Sequence, residues 1–230
     1  QAVMGEIDKI MEETPKKAYD DLKKMYSNGG SNEFEVLWRL AQACQTMARV
    51  YDRKNAKRKD LILEGRGYAQ AAAAIDETRF TVLKWAAILT GASTDYVGMK
   101  ERIEQGYKFK KYLDAALAID AREFSLLHMR GRYAYEVANL SWFERKIATT
   151  FFAAPPEATI DEALRDFLAA NEARGKWIEN ILYVARCYIA KNDSNNAVIF
   201  LNKTLSISPT NDSERELIED AKGLIRKHSG

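Results

Sequence analysis

The chain has 230 residues, of which 47% are apolar, a formal net charge of +2, four prolines and two cysteines. This composition excludes a disordered chain and a disulfide-built secreted scaffold, and the near-neutral charge gives no support to nucleic acid as a partner. The cysteines, Cys44 and Cys187, have no paired spacing. We therefore expect each to pack as a small apolar residue in a reducing compartment, by default the cytosol.

Neither a secretory leader nor a membrane span is expected from the sequence. The first residues include Glu6, Asp8 and Lys9, where a signal peptide would be apolar. The most apolar window, residues 147–154, is far too short to cross a bilayer.

Three regions are predicted in chain order. Residues 1–32 form an N-terminal helical flank with an apolar stripe along one side. Residues 33–210 form an all-α, tetratricopeptide-like array of four helix pairs, an α-solenoid. Residues 211–230 form a C-terminal capping helix, which a capping box of Ser213 and Glu216 is expected to begin.

The array is predicted from its last pair, which has the spacing of a tetratricopeptide repeat. The matching positions are Ile181, Val184, Ala185, Tyr188, Ala197, Leu201, Thr204 and Pro209. Small residues at Ala185 and Ala197 let the two helices touch. The first-helix offsets recur upstream from Leu37, Leu83 and Leu127, so four pairs are expected.

The early pairs are longer than the last one. We compare the interval from the small residue of the first helix to the corresponding residue of the second helix. In the three early pairs this interval runs from Ala41 to Gly65, from Ala87 to Phe109 and from Gly131 to Ala163. Because these intervals exceed that of the last pair, we predict an insertion between the helices of each early pair. In a solenoid such insertions project from one face.

Catalysis is not expected from these residues. His128 and His228 lack the spacing of a metal site or of a nucleophile and its base. The glycines at Gly65 and Gly67 lack the third glycine of a dinucleotide loop. We therefore predict no enzyme activity, no cofactor and no metal.

Binding through a groove is predicted instead, because first helices line the concave side of a tetratricopeptide array. The groove positions are Trp38, Gln42, Lys84, Ile88, His128, Arg132, Leu182 and Arg186, of which Lys84, His128, Arg132 and Arg186 are candidate partner-binding residues. Guanidinium groups suit carboxylate ligands. Alternatively, Arg132 and Arg186 pair with Glu136 and Glu179 of their own repeats.

The first insertion concentrates positive charge, with seven basic and three acidic side chains in residues 49–66. The candidate partner-binding residues there are Arg53, Lys54, Lys57, Arg58 and Lys59. A second basic excess lies in residues 100–111, and together they would form a basic stripe for an acidic polymer. Few aromatics interleave with the lysines, which argues against nucleic acid. The alternative is a solvated loop without a partner.

The third insertion, residues 140–156, is the most apolar segment of the chain. Such a stretch is usually folded back onto the core. On the surface it would instead be a contact patch or the rim of a lipid pocket.

Three stretches resemble the regulator of microtubule dynamics family. They are residues 84–89, residues 100–110, and residues 131–147 with Pro155-Pro156 and residues 162–164. The resemblance runs from about Phe34 to Pro209, and the third insertion is its most specific part. It implies a cytosolic tetratricopeptide-like protein that associates with microtubules and the mitotic spindle. Some relatives carry an N-terminal membrane anchor and act in organelle contact and lipid binding.

The residues and the resemblance favour a non-catalytic protein that binds microtubules or tubulin. Lys84, Arg132 and Arg186 would hold the acidic tubulin tails, while residues 53–59 add long-range attraction. The expected location is the cytoplasm and cytoskeleton, including spindle microtubules and spindle poles. One alternative is a lipid-binding or organelle-tethering module that uses the groove or residues 142–152. Another is a general adaptor for an acidic peptide motif.

Overall fold

The structure is a computed structural model that describes residues 2–29, 33–151 and 157–228. The described residues form twelve α-helices and no strand. The chain divides into two compact units, which end and begin at Ile119 and Asp120. This boundary falls inside the predicted array.

The first unit is a series of helices in which each packs against the next, and α3 also packs against α5. The helices are α1 (Ala2–Glu13), α2 (Pro15–Ser27), α3 (Glu33–Ala48), α4 (Ala56–Ile75), α5 (Phe80–Ser93) and α6 (Met99–Ile119), with a 3-10 turn at Thr94–Tyr96. Pro15 opens α2, where its missing N–H removes no intrahelical hydrogen bond. The N-terminal flank is therefore a helix pair of its own.

A carboxylate secures this N-terminal pair to the array. Glu64 Oε1 on α4 accepts hydrogen bonds from Tyr19 at 2.7 Å, Lys23 at 3.0 Å and Tyr68 at 2.8 Å. Burial raises the pKa of Glu64, but these three donors outweigh it and leave the pKa below its usual value. The flank is thus fixed by polar contacts as well as by its apolar stripe.

Small residues bring the helices of the first unit close together, as the repeat pattern predicts. A Cβ at Gly65 of α4 would lie 2.7 Å from Cys44 Cβ of α3. Cys44 is fully buried and burial raises its pKa to about 12, so the thiol packs as an apolar group. Cys187 is buried in the same way.

The extra residues of the first two pairs are not separate insertions between the helices, and that part of the prediction is wrong. The extra residues lengthen the second helices, so that α4 and α6 have 20 and 21 residues whereas α11 has 12. Between α3 and α4 only residues 49–55 lie outside the helices. The basic residues from Lys57 onward are therefore helical.

The second unit has the same kind of architecture. Its helices are α7 (Phe124–Ala138), α8 (Trp142–Phe151), α9 (Ile160–Ala173), α10 (Ile178–Ala190), α11 (Ser194–Leu205) and α12 (Asp212–His228). Successive packing runs through α7, α9, α10, α11 and α12, and α12 also contacts α10. Helix α8 belongs to the third insertion.

The C-terminal helix starts earlier than its expected capping box. Asn211 Oδ1 accepts the N–H of Glu214 at 2.9 Å, and Glu214 in turn accepts from Thr210. The helix therefore begins at Asp212, one residue before Ser213. Its buried face packs on the preceding helices through Leu217, Ile218 and Ala221.

Candidate functional site

The basic turn, residues 53–59, leads from α3 into α4. Asp52 Oδ1 accepts the N–H of Lys54 and Asn55 Oδ1 accepts the N–H of Lys57, each at 2.9 Å. Asn55 is the N-cap of α4. These two short-range side-chain bonds give the basic side chains a defined backbone.

Four of the five predicted residues of the basic turn are exposed: Arg53, Lys54, Lys57 and Lys59. Arg58 is the exception, because its guanidinium turns inward and donates to the Tyr51 carbonyl at 2.7 Å. For Arg58 the prediction of a partner contact conflicts with the geometry. The Arg58 side chain instead stabilises the turn through this hydrogen bond.

The position of the basic turn strengthens its positive potential. Lys57, Arg58 and Lys59 lie in the first turn of α4, which contains no acidic residue. The N-terminal end of a helix already carries a partial positive charge, and cations there lower stability. The basic side chains of this turn therefore do not stabilise α4, and their charge is suited to attracting anions.

Helix α6 adds a weaker basic surface to the first unit. Lys100, Arg102 and Lys108 are exposed, whereas Lys111 pairs with Glu77 at 3.0 Å. The helix also carries Glu101, which pairs with Arg66 of α4. The predicted second basic excess is thus partly neutralised within the unit.

The groove positions of the first unit are only partly accessible. Lys84 is half-buried, with Nζ 5.8 Å from the centroid of the Trp85 ring. Ile88 is buried, so it does not line an open groove. Trp38 donates its indole N–H to Glu35.

Sequence reasoning missed an arginine that is central to the first unit. Arg39, 7% exposed, makes a two-point contact with Asp8 at 2.7 and 2.8 Å and also donates to Glu35. Arg79 donates to the other oxygen of Glu35 at 2.7 Å. Burial raises the pKa of Glu35, but the donors Arg79, Arg39 and Trp38 outweigh burial and lower it to about 2. This network is structural. Its Glu35–Arg39 pair has the i,i+4 spacing of a helix, but the contacts with Asp8 and Arg79 join residues that are distant in sequence.

In the second unit the structure brings Arg132 and Arg186 together around one aromatic ring. Their guanidinium carbons lie 5.3 and 4.9 Å from the centroid of Tyr183. Tyr183 is 4% exposed and stacks on Phe167. The two arginines are therefore held over a rigid aromatic base.

Each of these arginines also contacts a carboxylate of the same unit. Arg132 Nη1 lies 3.5 Å from Glu179 Oε1, and Arg186 Nη2 lies 2.9 Å from Asp220 Oδ2. Both arginines therefore form ion pairs, but these pairs differ from the expected ones within single repeats. Glu179 of α10 faces Arg132 of α7, and Asp220 of α12 faces Arg186. The four side chains remain 20 to 36% exposed.

For His128 the structure contradicts the expected groove position. Its side chain is 2% exposed and packs 4.2 Å from the Trp177 ring. Nδ1 lies 2.9 Å from Asn180 Oδ1, and Asn180 donates its amide hydrogen to the Phe167 carbonyl. The Asn180 oxygen is therefore an acceptor, which assigns the hydrogen to His128 Nδ1. Leu182, another predicted groove position, is fully buried.

The third insertion forms helix α8, whose first two side chains are on the surface. Trp142 is 74% exposed and Phe143 is 59% exposed, and Lys146 Nζ lies 5.0 Å from the Trp142 ring centroid. Ala148 is buried. Phe152 and Pro155-Pro156, which belong to the same insertion, lie outside the described residues.

Neither metal-binding nor membrane-spanning features occur in residues 2–29, 33–151 and 157–228. Within these ranges His, Cys, Asp and Glu side chains do not group in threes that could hold a metal ion. Among the helices described there, none combines the length and the apolar character needed to span a membrane.

The fold is similar to a solved structure, a thermophilic TPR protein of Thermus thermophilus. The TM-score is 0.59, the sequence identity is 13%, and 94% of each chain is covered. The stacked helix pairs and this likeness define a tetratricopeptide-like helical-repeat protein, which confirms the predicted fold class. Arrays of this class generally present binding surfaces.

A family model described as regulator of microtubule dynamics protein 1-3 matches residues 3–229. The chain belongs to the regulator of microtubule dynamics family. Regulator of microtubule dynamics protein 1 of Caenorhabditis elegans is 36% identical over 211 residues, which cover 92% of each chain. Protein 1 of Bos taurus is 29% identical and protein 2 of Rattus norvegicus is 32% identical. The alignments span 63% of the bovine and 47% of the rat protein.

Proposed function

We propose that the chain regulates microtubule dynamics by binding the acidic surface of tubulin, without catalysis. Family membership supports the partner, and the exposed basic turn of the first unit supports the mode of binding. The observation that carries the mechanism is the display of Arg53, Lys54, Lys57 and Lys59 at the positive end of α4. We expect the protein in the cytoplasm on the cytoskeleton, including spindle microtubules and spindle poles.

The basic turn acts through charge more than through shape. Exposed lysines attract a glutamate-rich chain over roughly 10 Å at moderate salt, and this attraction raises the rate of encounter. The N-terminal dipole of α4 adds to the same potential. Such a contact tolerates a mobile, sequence-degenerate acidic tail.

The arginines of the second unit supply geometry. Arg132 and Arg186 are already oriented by Tyr183, so little side-chain freedom is lost when a carboxylate replaces their internal partners. Within the first unit, the partly exposed Lys84 is a candidate cation in addition to the basic turn. His128 and Arg58 serve the interior and are not part of the proposed contact.

Co-sedimentation with polymerised microtubules tests this proposal. Binding should fall steeply when salt is raised and when the acidic tubulin tails are removed by limited proteolysis. Binding that is indifferent to both treatments contradicts the electrostatic mechanism.

One observation favours a second candidate, a lipid-binding or tethering function. Trp142 and Phe143 are exposed beside Lys146, a combination suited to the boundary between lipid headgroups and acyl chains. Flotation with anionic vesicles tests it, and Trp142→Ala/Phe143→Ala should abolish flotation while leaving microtubule binding unchanged. A general adaptor role would instead appear as selective binding of acidic peptides unrelated to tubulin.

A further inference from the structure

The carboxylates beside Arg132 and Arg186 come from different helices. Glu179 belongs to α10, the helix that also carries Tyr183 and Arg186, whereas Asp220 belongs to α12. Glu179 Oε1 lies 3.5 Å from Arg132 Nη1, and Asp220 Oδ2 lies 2.9 Å from Arg186 Nη2. Arginine and carboxylate form their strongest contact through two parallel hydrogen bonds.

The two arginines rest on a buried aromatic base, whereas the two carboxylates are partly exposed to water. Both guanidinium groups rest on the buried ring of Tyr183, which itself packs on Phe167 and Tyr135. Glu179 and Asp220 are 31 and 36% exposed. Water therefore competes for both carboxylates, and ion pairs at this exposure are weak.

We propose that Glu179 and Asp220 are internal competitors that occupy the positions taken by two carboxylates of an acidic peptide. This inference rests on the proposed function and adds a masked state, in which Glu179 and Asp220 occupy the two arginines and acidic peptide is not bound. The incoming peptide exchanges its own carboxylates for those of α10 and α12. The affinity of the second unit for acidic chains therefore depends on how readily Asp220 and Glu179 separate from their arginines.

Asp220 is the stronger competitor of the two. Its contact with Arg186 lies within hydrogen-bond range, whereas the Glu179 contact with Arg132 is at the limit of that range. Glu179 Oε1 also lies 3.8 Å from His128 Nε2, a nitrogen that carries no hydrogen in the tautomer assigned above, so this neighbour does not hold the carboxylate. Neutralising Asp220 should unmask more binding than neutralising Glu179.

The experiment measures binding of a fluorescent deca-glutamate peptide by anisotropy. Asp220→Asn should bind about two- to fivefold more tightly than wild type, and Glu179→Gln should show a smaller gain in the same direction. The matched control is Glu219→Gln, which removes the same charge one residue away on α12, where Glu219 is 69% exposed and pairs with Lys222. It should leave the affinity unchanged.

Adding Arg186→Gln to Asp220→Asn should cancel the gain in affinity, because the Arg186 guanidinium is the group that binds the peptide carboxylate. Equal gains from Asp220→Asn and Glu219→Gln would overturn the inference, since the effect would then be one of net charge alone. Thermal unfolding by circular dichroism verifies that each variant is folded. Glu179→Gln repeats the test without touching the docking of α12.

The same variants in microtubule co-sedimentation separate the two proposals. If wild type binds microtubules and Asp220→Asn does not tighten peptide binding, the masked state is wrong and the proposed function stands. If neither wild type nor Asp220→Asn binds microtubules or peptide, both proposals fail.

Discussion

The backbone of Gly131 on α7 lies directly against the ring of Phe167 on α9. A Cβ at residue 131 would be 2.9 Å from Phe167 Cε1, and Phe167 is fully buried. The contact brings the two helices together at the position where the repeat pattern requires a small residue.

Gly131→Ala should therefore destabilise the second unit, by about 1 to 3 kcal/mol, because a buried aromatic ring must move. The matched change is Gly223→Ala in α12, where a Cβ meets no atom within 4 Å. It should stabilise by about 0.5 to 1 kcal/mol through helix propensity. Urea unfolding followed by circular dichroism gives both free-energy changes. Changes of the same sign in the two variants would contradict the close packing at Gly131.

The clamp between Arg130 of α7 and Asp166 of α9 should respond unequally to loss of its two partners. Both nitrogen-to-oxygen contacts are short, 2.7 and 2.8 Å, but the Asp166 side chain is 4% exposed and that of Arg130 is 38% exposed. Arg130→Met leaves a buried carboxylate and should cost about 3 kcal/mol. Asp166→Asn leaves a cation that reaches water and should cost about 1 to 2 kcal/mol. A larger loss in Asp166→Asn during urea unfolding would refute this interpretation.

Glu35 should make the stability of the first unit depend on acid pH. Its pKa in the folded chain is about 2, below the ordinary 4.5, because Arg79, Arg39 and Trp38 donate to it. Its contribution is present above pH 4.5 and is lost as the pH falls towards 2. We expect this contribution to be about 1 to 2 kcal/mol after allowance for solvent screening.

Unfolding free energies of wild type and Glu35→Gln at pH 6 and pH 3 measure this dependence. Wild type should lose more stability than Glu35→Gln between the two values. The same loss in both proteins would show that Glu35 is not responsible.

The fold was largely predictable because its determinants are local. Small residues such as Ala185 and Ala197 recur at fixed offsets from larger ones, and these offsets encode helix pairs whatever the pairs bind. The form of the insertions was not predictable from spacing alone. The long interval between the small residues of the first pair is explained equally well if an added stretch such as residues 56–66 forms a loop or if it forms extra turns of α4.

The candidate site was predictable only in part, because its contacts join residues distant in sequence. Arg132 and Arg186 were found from the repeat register, yet their carboxylates lie 47 and 34 residues away. His128 has the same register, but Asn180 and Trp177 cover it from another helix pair. The register of one helix does not reveal what the next pair places over it.

Electrostatic capture of tubulin by the basic turn is the central claim, and paired charge reversal in microtubule co-sedimentation tests it most directly. Lys54→Glu/Lys57→Glu should weaken binding at least about fivefold, because both side chains point to solvent at the positive end of α4. The matched variant, Lys16→Glu/Lys17→Glu, makes the same change of charge on α2, where these lysines are 71 and 62% exposed. It should bind nearly as well as wild type. Equal losses in the two variants, or no loss in the first, would contradict capture by the basic turn.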